Sequence, residues 1–237
     1  MMIVQPARFG VACAIDPYAA NRTFFLRGQG ANGATPSTDD LGNALTWVGG
    51  TQISTAQSAW ASYGSSVRVA SPNAPGYVSG PRGTGFALPG DFTMTARVRL
   101  DSVSYCTIMA HEAYNGSENG NWVFRLLPDG MEFRSFDAGG TNPEQVAVTG
   151  LSIPTAGAFV EVQAARVSGT LYMFWNGSLV VSGALANSLG RTANNAVRVG
   201  IGTTGALVTP AYYDDVTILK GVGAHTASYT PPSLPPC

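Results

Sequence analysis

Nine consecutive residues constrain this chain more than any other stretch. Along Phe92-Thr-Met-Thr-Ala-Arg-Val-Arg-Leu100, the apolar Phe92, Met94, Ala96, Val98 and Leu100 alternate with Thr93, Thr95, Arg97 and Arg99. A period of two places the first set on one face of a strand and the second on the other, so this is a half-buried strand. Residues 122–127 and 131–136 repeat the pattern around Pro128-Asp129-Gly130, in which proline presets φ and glycine accepts positive φ, so the two runs form a hairpin. Asn176-Gly177 lies between the apolar runs 171–175 and 178–181; that dipeptide suits the type I′ turn, which needs positive φ at both central positions. Further strands are expected at 24–27, 45–48, 66–70, 107–110, 145–148, 159–166, 196–201 and 212–219.

No window carries apolar residues at helical spacing over three turns. Twenty-nine glycines and 15 prolines point the same way, because both are poor in helix interiors and punctuate turns. The pattern therefore predicts an all-β, two-sheet antiparallel jelly-roll sandwich, a size at which single domains of about 200–250 residues are ordinary. Residues 1–20 read as an N-terminal arm, 21–228 as the sandwich and 229–237 as a proline-rich, extended tail.

Composition removes whole classes of function. Lys and Arg total 13 against 14 Asp and Glu, a net charge of −1, so no electrostatic footprint for nucleic acid or an anionic membrane exists. With 45% apolar residues the chain can build a core, yet only 11% are charged, against about 25% in an average protein. So weak a surface charge favours association, and a homo-oligomer or a docked module is expected. No run reaches the roughly 18 apolar residues of a membrane span, and residues 1–14 lack the apolar core of a signal peptide. The chain thus reads as made in a cytoplasm. Cys13, Cys106 and Cys237 are odd in number and at no metal spacing, so buried free thiols are expected.

Several segments together resemble the laminin-G-like, concanavalin A-like domains of bacteriophage virion proteins. They are Asp16-Pro-Tyr-Ala-Ala-Asn21, Phe24-Phe-Leu-Arg-Gly-Gln-Gly30, Asp39-Asp-Leu-Gly-Asn43, Gln52-Ile-Ser-Thr-Ala-Gln-Ser58, the strand from Phe92, the Asn176-Gly177 hairpin, and Tyr212-Tyr-Asp-Asp-Val-Thr-Ile-Leu-Lys-Gly-Val running on to Pro231-Pro232. Their order matches and spans nearly the whole chain. Two departures stand out: Arg27-Gly28 replaces an Asp-Gly pair near the first strand, and Thr217 replaces an arginine in the last. The resemblance implies two packed sheets with a concave face, used mainly for adhesion and binding, and a place on a virion assembled in the host cytoplasm.

The residues offer little catalytic chemistry. Retaining glycosidases need two carboxyl groups about 5–5.5 Å apart, and no strand here carries acidic residues two apart. Glu112 and Glu118 read as loop residues. Asp214 and Asp215, being adjacent, point to opposite faces, with Asp214 sharing its face with Val216 and Ile218 and capping backbone N–H groups. A calcium site would add Asp39, Asp40 or Asn43 to Asp214, but calcium takes 6–8 oxygens, which these do not supply; no cofactor and no metal are expected. His111 and His225 lack a nucleophile motif and read as packing or surface residues. Asn21, Asn115 and Asn176 begin Asn-x-Ser/Thr triplets that read as turns.

The binding residues singled out are Tyr172 and Phe174, outward if Leu171, Met173 and Trp175 face the core, and Arg97 and Arg99 on the non-core face of the alternating strand. Two functions follow. One is a non-enzymatic virion surface module, on head or tail, docked through protein contacts with the capsid lattice or other virion proteins. The other is a glycan-binding adhesin for host-surface carbohydrate, with or without calcium. Neither involves membrane insertion.

Overall fold

The computed structural model describes residues 13–70, 76–102, 104–111, 122–136, 143–153, 158–187, 189, 196–201 and 210–237. Among them the chain is all β, two antiparallel sheets forming a sandwich, with helix confined to single 3-10 turns at Ala19–Asn21 and Thr84–Phe86. No helix among the described residues is long and apolar enough to cross a membrane.

The strands are β1 (Arg22–Leu26), β2 (Thr46–Val48), β3 (Gln52–Ser54), β4 (Ser66–Val69), β5 (Tyr77–Arg82), β6 (Phe92–Leu100), β7 (Cys106–His111), β8 (Trp122–Leu127), β9 (Gly130–Phe136), β10 (Pro143–Thr149), β11 (Val160–Val167), β12 (Thr170–Trp175), β13 (Ser178–Ala184), β14 (Ala196–Val199) and β15 (Ala211–Lys220). One sheet runs β13-β12-β11-β6-β15-β4-β3, with β1 also on β15; the other runs β10-β9-β8-β7-β14-β5-β2. Every expected strand is present. The short β3 and the Gly-Pro-containing β5 were not anticipated from their residues, because three residues are too few to show a period and Pro81 argues against a paired strand.

The inner faces close as the alternation requires. Phe92, Met94, Ala96 and Val98 are fully buried, and the ring of Phe92 stacks on Phe133 of the opposite sheet at 5.8 Å. Asn176 and Gly177 have φ of 47° and 75°, the type I′ signature. Ser168 and Gly169, with φ of 49° and 81°, make a second such turn between β11 and β12.

Two readings are corrected by tertiary contacts. Cys13 and Cys237 form a disulfide, their Cα atoms 5.1 Å apart across 224 positions of sequence. A separation that long carries no signal in spacing, and only the fold joins the ends. Cys106 is free and buried, its Sγ 3.0 Å from the Tyr213 hydroxyl. The second correction concerns β15. Its register slips between Asp214 and Thr217, Asp215 takes φ of 47°, and this β-bulge shifts the phase of the strand. Tyr213 before it and Val216 and Ile218 after it all face the core, so Asp214 does not share their alternation. The bulge lies where β15 changes partner, from β4 at residues 211–213 to β1 at 216–219.

Candidate functional site

The outward residues of β6, β11 and β15 form the floor of a pocket of about 250 Å³. Thr95 and Arg97 come from β6, Glu161 and Gln163 from β11, and Asp215 and Thr217 from β15. Each alternates with a core residue, which is why three different strands present polar groups side by side. The remaining walls are not sheet: they come from segment 14–18 and from His225, Tyr229, Pro232 and Pro236. Trp60 enters from the loop between β3 and β4, shaped by Ser58, whose hydroxyl donates to the Trp60 carbonyl at 2.6 Å.

A continuous hydrogen-bonded network fixes these groups. Arg97 donates from Nη2 to Glu161 Oε2 at 3.1 Å and to the Pro232 carbonyl at 2.9 Å, and its guanidinium lies 4.0 Å from the centre of the Trp60 ring, a favourable cation–π stack. Trp60 Nε1 donates to Asp215 Oδ2, and the Tyr63 hydroxyl donates to Asp215 Oδ1 at 3.2 Å. The Tyr229 hydroxyl donates to Glu161 Oε1 at 2.7 Å. Gln163 Nε2 donates to Thr95 Oγ1 at 3.2 Å, which leaves its Oε1 to accept from His225 Nδ1 at 2.9 Å. The His225 ring stacks on Tyr229 with centroids 3.7 Å apart and planes 6° from parallel.

Burial governs the titrating groups. It pushes the Asp215 carboxyl up to about 6, against the opposing hydrogen bonds and charge of Trp60, Arg97 and Tyr63. Asp214 is pushed up to about 8, by burial first and the Asp215 charge second, while its Oδ1 accepts from Gly28 N–H at 3.0 Å. The capping role expected of Asp214 is what its contacts display. Burial also lowers His225 and raises the Tyr229 phenol.

The four residues singled out from sequence do not form one site. Arg97 lies in the pocket. Arg99, two residues on, stacks over Tyr212 at 5.3 Å and donates to Asp101 at 3.3 Å. Tyr172 is half-buried and does not line the pocket. Phe174 points outward but is not open for stacking, because its ring is fully buried beneath His225 and Tyr229, at 6.1 and 5.4 Å. Glu161, Gln163, Trp60, His225 and Tyr229 were missed. Alternation along 159–166 does set Glu161 and Gln163 opposite Val160, Val162 and Ala164, but nothing in sequence brings the last segment over them.

The calcium grouping does not assemble. Asp39 already accepts from the N–H groups of Phe25, Leu41 and Asn43, Asp40 is paired with Arg27, and Asp214 is held by Gly28. No cluster of three or more metal-ligating side chains occurs among the described residues. Glu112, Asn115 and Glu118 lie outside those residues.

Comparison with known proteins adds the fold's relatives. A model of the concanavalin A-like lectin/glucanases superfamily matches residues 72–224. No curated protein sequence matches the chain. Solved structures similar to it include the receptor binding domain of botulinum neurotoxin C/D mosaic serotype, at 12% identity and a TM-score of 0.61, covering 86% of this chain and 49% of that one. The binding domain of Paraclostridial Mosquitocidal Protein 1 is similar at 14% identity and 0.60, over 85% and 49%. The binding domain of botulinum neurotoxin DC in complex with rat synaptotagmin II is similar at 12% and 0.61, over 86% and 49%. The chain spans about half the length of these structures. At such identity the likeness is one of fold alone.

Proposed function

The chain belongs to the concanavalin A-like lectin/glucanase superfamily, and on that premise we propose that it is a non-enzymatic glycan-binding module whose ligand enters the pocket between the outer face of β6, β11 and β15 and the two covering segments. The observation that carries this reading is the lining. Rings of Tyr18, Trp60, His225 and Tyr229 stand beside the hydroxyls of Thr95 and Thr217, the Gln163 amide and the Asp215 carboxylate. A sugar ring needs that mixture, an apolar surface for its C–H face and converging polar groups for its hydroxyls, as small-molecule sites in general do.

Binding rather than hydrolysis is favoured by what the carboxylates already do. A glycosidase needs, beside a carboxyl group able to give a proton, a second one free to attack or activate water; Asp215 is raised, but both oxygens of Glu161 are already taken, by Arg97 and Tyr229. Glycan-array screening with calorimetry tests the reading. Gln163→Ala and Thr95→Val are each expected to weaken the strongest glycan signal about tenfold, the loss of roughly one good hydrogen bond. Tyr172→Ala and added EDTA are expected to leave it unchanged, and steady release of reducing sugar would overturn the non-enzymatic part.

The setting we assign is the surface of a bacteriophage particle, where the module docks through protein contacts or self-associates and presents the pocket to host carbohydrate. It rests on the sequence resemblance of residues 16–232 and on the low surface charge; the structural relatives add no support to it. Mass spectrometry and immunogold labelling of purified particles are expected to find the protein on the virion, and its absence there would remove the setting without touching the glycan site.

A further inference from the structure

The pocket is completed by chain that belongs to neither sheet. Segments 14–18 and 225–236 line it side by side, and the Cys13–Cys237 disulfide ties them together. Beside the disulfide, Ala14 N–H donates to the Pro235 carbonyl at 2.8 Å and Cys237 N–H to the Ala14 carbonyl at 3.1 Å. Against the sheet and its β12–β13 turn the second segment is held by side-chain contacts of His225 with Gln163, Tyr229 with Glu161 and Ser228 with the Leu179 N–H, by the Tyr229 N–H on the Gly177 carbonyl and by the Pro232 carbonyl on Arg97. Its last residues are tied to Ala14, Arg22 and the disulfide.

Under this cover runs one cross-strand row. Phe174 pairs with Gln163, Gln163 with Thr95, and Thr95 with Thr217, all facing outward from four neighbouring strands. Phe174 is the end of that row, and the rings of His225 and Tyr229 lie over it. With the cover in place the cavity of about 250 Å³ is smaller than the roughly 300–1,000 Å³ of ordinary small-molecule sites, room for one ring. Both arginines of its lining are already paired, Arg22 with Asp16 at 2.8 Å and Arg97 with Glu161 at 3.1 Å, and Asp215, held by Trp60 and Tyr63, adds a further acidic group. Among the described lining residues no unpaired arginine or lysine is left to receive an acidic sugar.

We propose that the Cys13–Cys237 disulfide is a clasp that sets the size of ligand this site accepts, resting on the glycan reading above. Closed, it admits a single uncharged pyranose at the end of a glycan. Open, it lets segment 225–236 lift, uncovers Phe174 and converts the pocket into a groove for internal residues of a longer chain. Both cysteines are exposed, so a dithiol reaches them. A dithiol thiolate attacks one sulfur, the Cys13–Cys237 bond breaks, and the dithiol leaves as its own cyclic disulfide. Two electrons and two protons pass to Cys13 and Cys237. Such a clasp closes in an oxidising medium and opens in a reducing one.

The test is calorimetry on the full chain, oxidised, reduced with dithiothreitol, and as Cys13→Ser and Cys237→Ser. The probes are methyl glycosides of glucose, galactose, mannose and N-acetylglucosamine, the tetrasaccharides ending in each, and N-acetylneuraminic acid as the charged control. Circular dichroism reports folding. The oxidised protein is expected to bind one methyl glycoside, and opening to raise the tetrasaccharide-to-monosaccharide affinity ratio at least tenfold, by losing monosaccharide contacts and gaining groove contacts. An unchanged ratio in a protein that binds sugar overturns the clasp, as does unfolding of every opened form, and preference for N-acetylneuraminic acid overturns the uncharged ligand. Binding of no saccharide in any form instead overturns the glycan reading, and this proposal with it.

Discussion

Asp214 illustrates how a single carboxyl group can be structural and still titrate where biology works. It is fully buried, accepts from Gly28 N–H, and so pins the chain leaving β1 against the bulge of β15. Gly28 is required there: a Cβ would stand 2.3 Å from Ser66 Cα, so the two backbones approach too closely for any side chain. Because burial raises the Asp214 carboxyl to about 8, the folded state holds a proton that an unfolded aspartate, near about 3.9, has released. The Asp214 contribution to stability then falls as pH rises from about 4 to about 8 and is lost above that. Between about 4 and 6.5 His111, which burial lowers to about 4, works in the opposite sense, because the unfolded histidine takes up a proton first. Thermal melts are therefore expected to show a midpoint higher at pH 6.5 than at 8.5, and Asp214→Asn is expected to flatten that slope; a flat wild-type profile would contradict it.

At the scale of elements, the turns decide more than the strands they join. Gly177 serves two elements at once. Its φ of 75° closes the β12–β13 hairpin, and its carbonyl accepts from Tyr229 N–H at 2.8 Å, seating the segment that covers the pocket. A Cβ there would lie 2.1 Å from the Tyr229 carbonyl oxygen and 2.7 Å from Pro231 Cδ. Gly177→Ala thus combines backbone strain with a clash and is expected to cost about 1–3 kcal/mol, read by chemical denaturation, together with increased hydrogen exchange at residues 225–232. The bulge at Asp214-Asp215 is a comparable device. It lets β15 pair with β4 on one side of the slip and with β1 on the other, and it turns Asp215 towards Trp60 and Tyr63.

Across the whole molecule, one aromatic cluster joins the two sheets. Phe133 of β9 contacts Phe92 of β6 from the opposite sheet, along with Trp122 and Phe124 of its own. Phe133→Ala removes a fully buried ring and is expected to destabilise by about 3–5 kcal/mol, with far-UV and near-UV transitions remaining coincident because both sheets lose the same contact. Much of the scarce charge is spent within the fold: Arg22, Arg27, Arg68, Arg97, Arg99 and Arg125 all sit in ion pairs with Asp or Glu.

Local periodicity by itself determined the class of fold, the strand-rich hairpins around Asn176-Gly177 and Pro128-Asp129-Gly130, and the outward placement of Arg97, because a two-residue period and the φ demands of a turn act over a few neighbouring residues. The tertiary structure alone decided the site. Thr95, Gln163 and Thr217 meet through strand order, the Cys13–Cys237 pair closes across 224 positions, and Phe174 changes from an outward aromatic to a covered one when a segment some fifty residues away folds over it. Such contacts are set by how sheets pair and where loose chain returns, and no local pattern of residues encodes that distance.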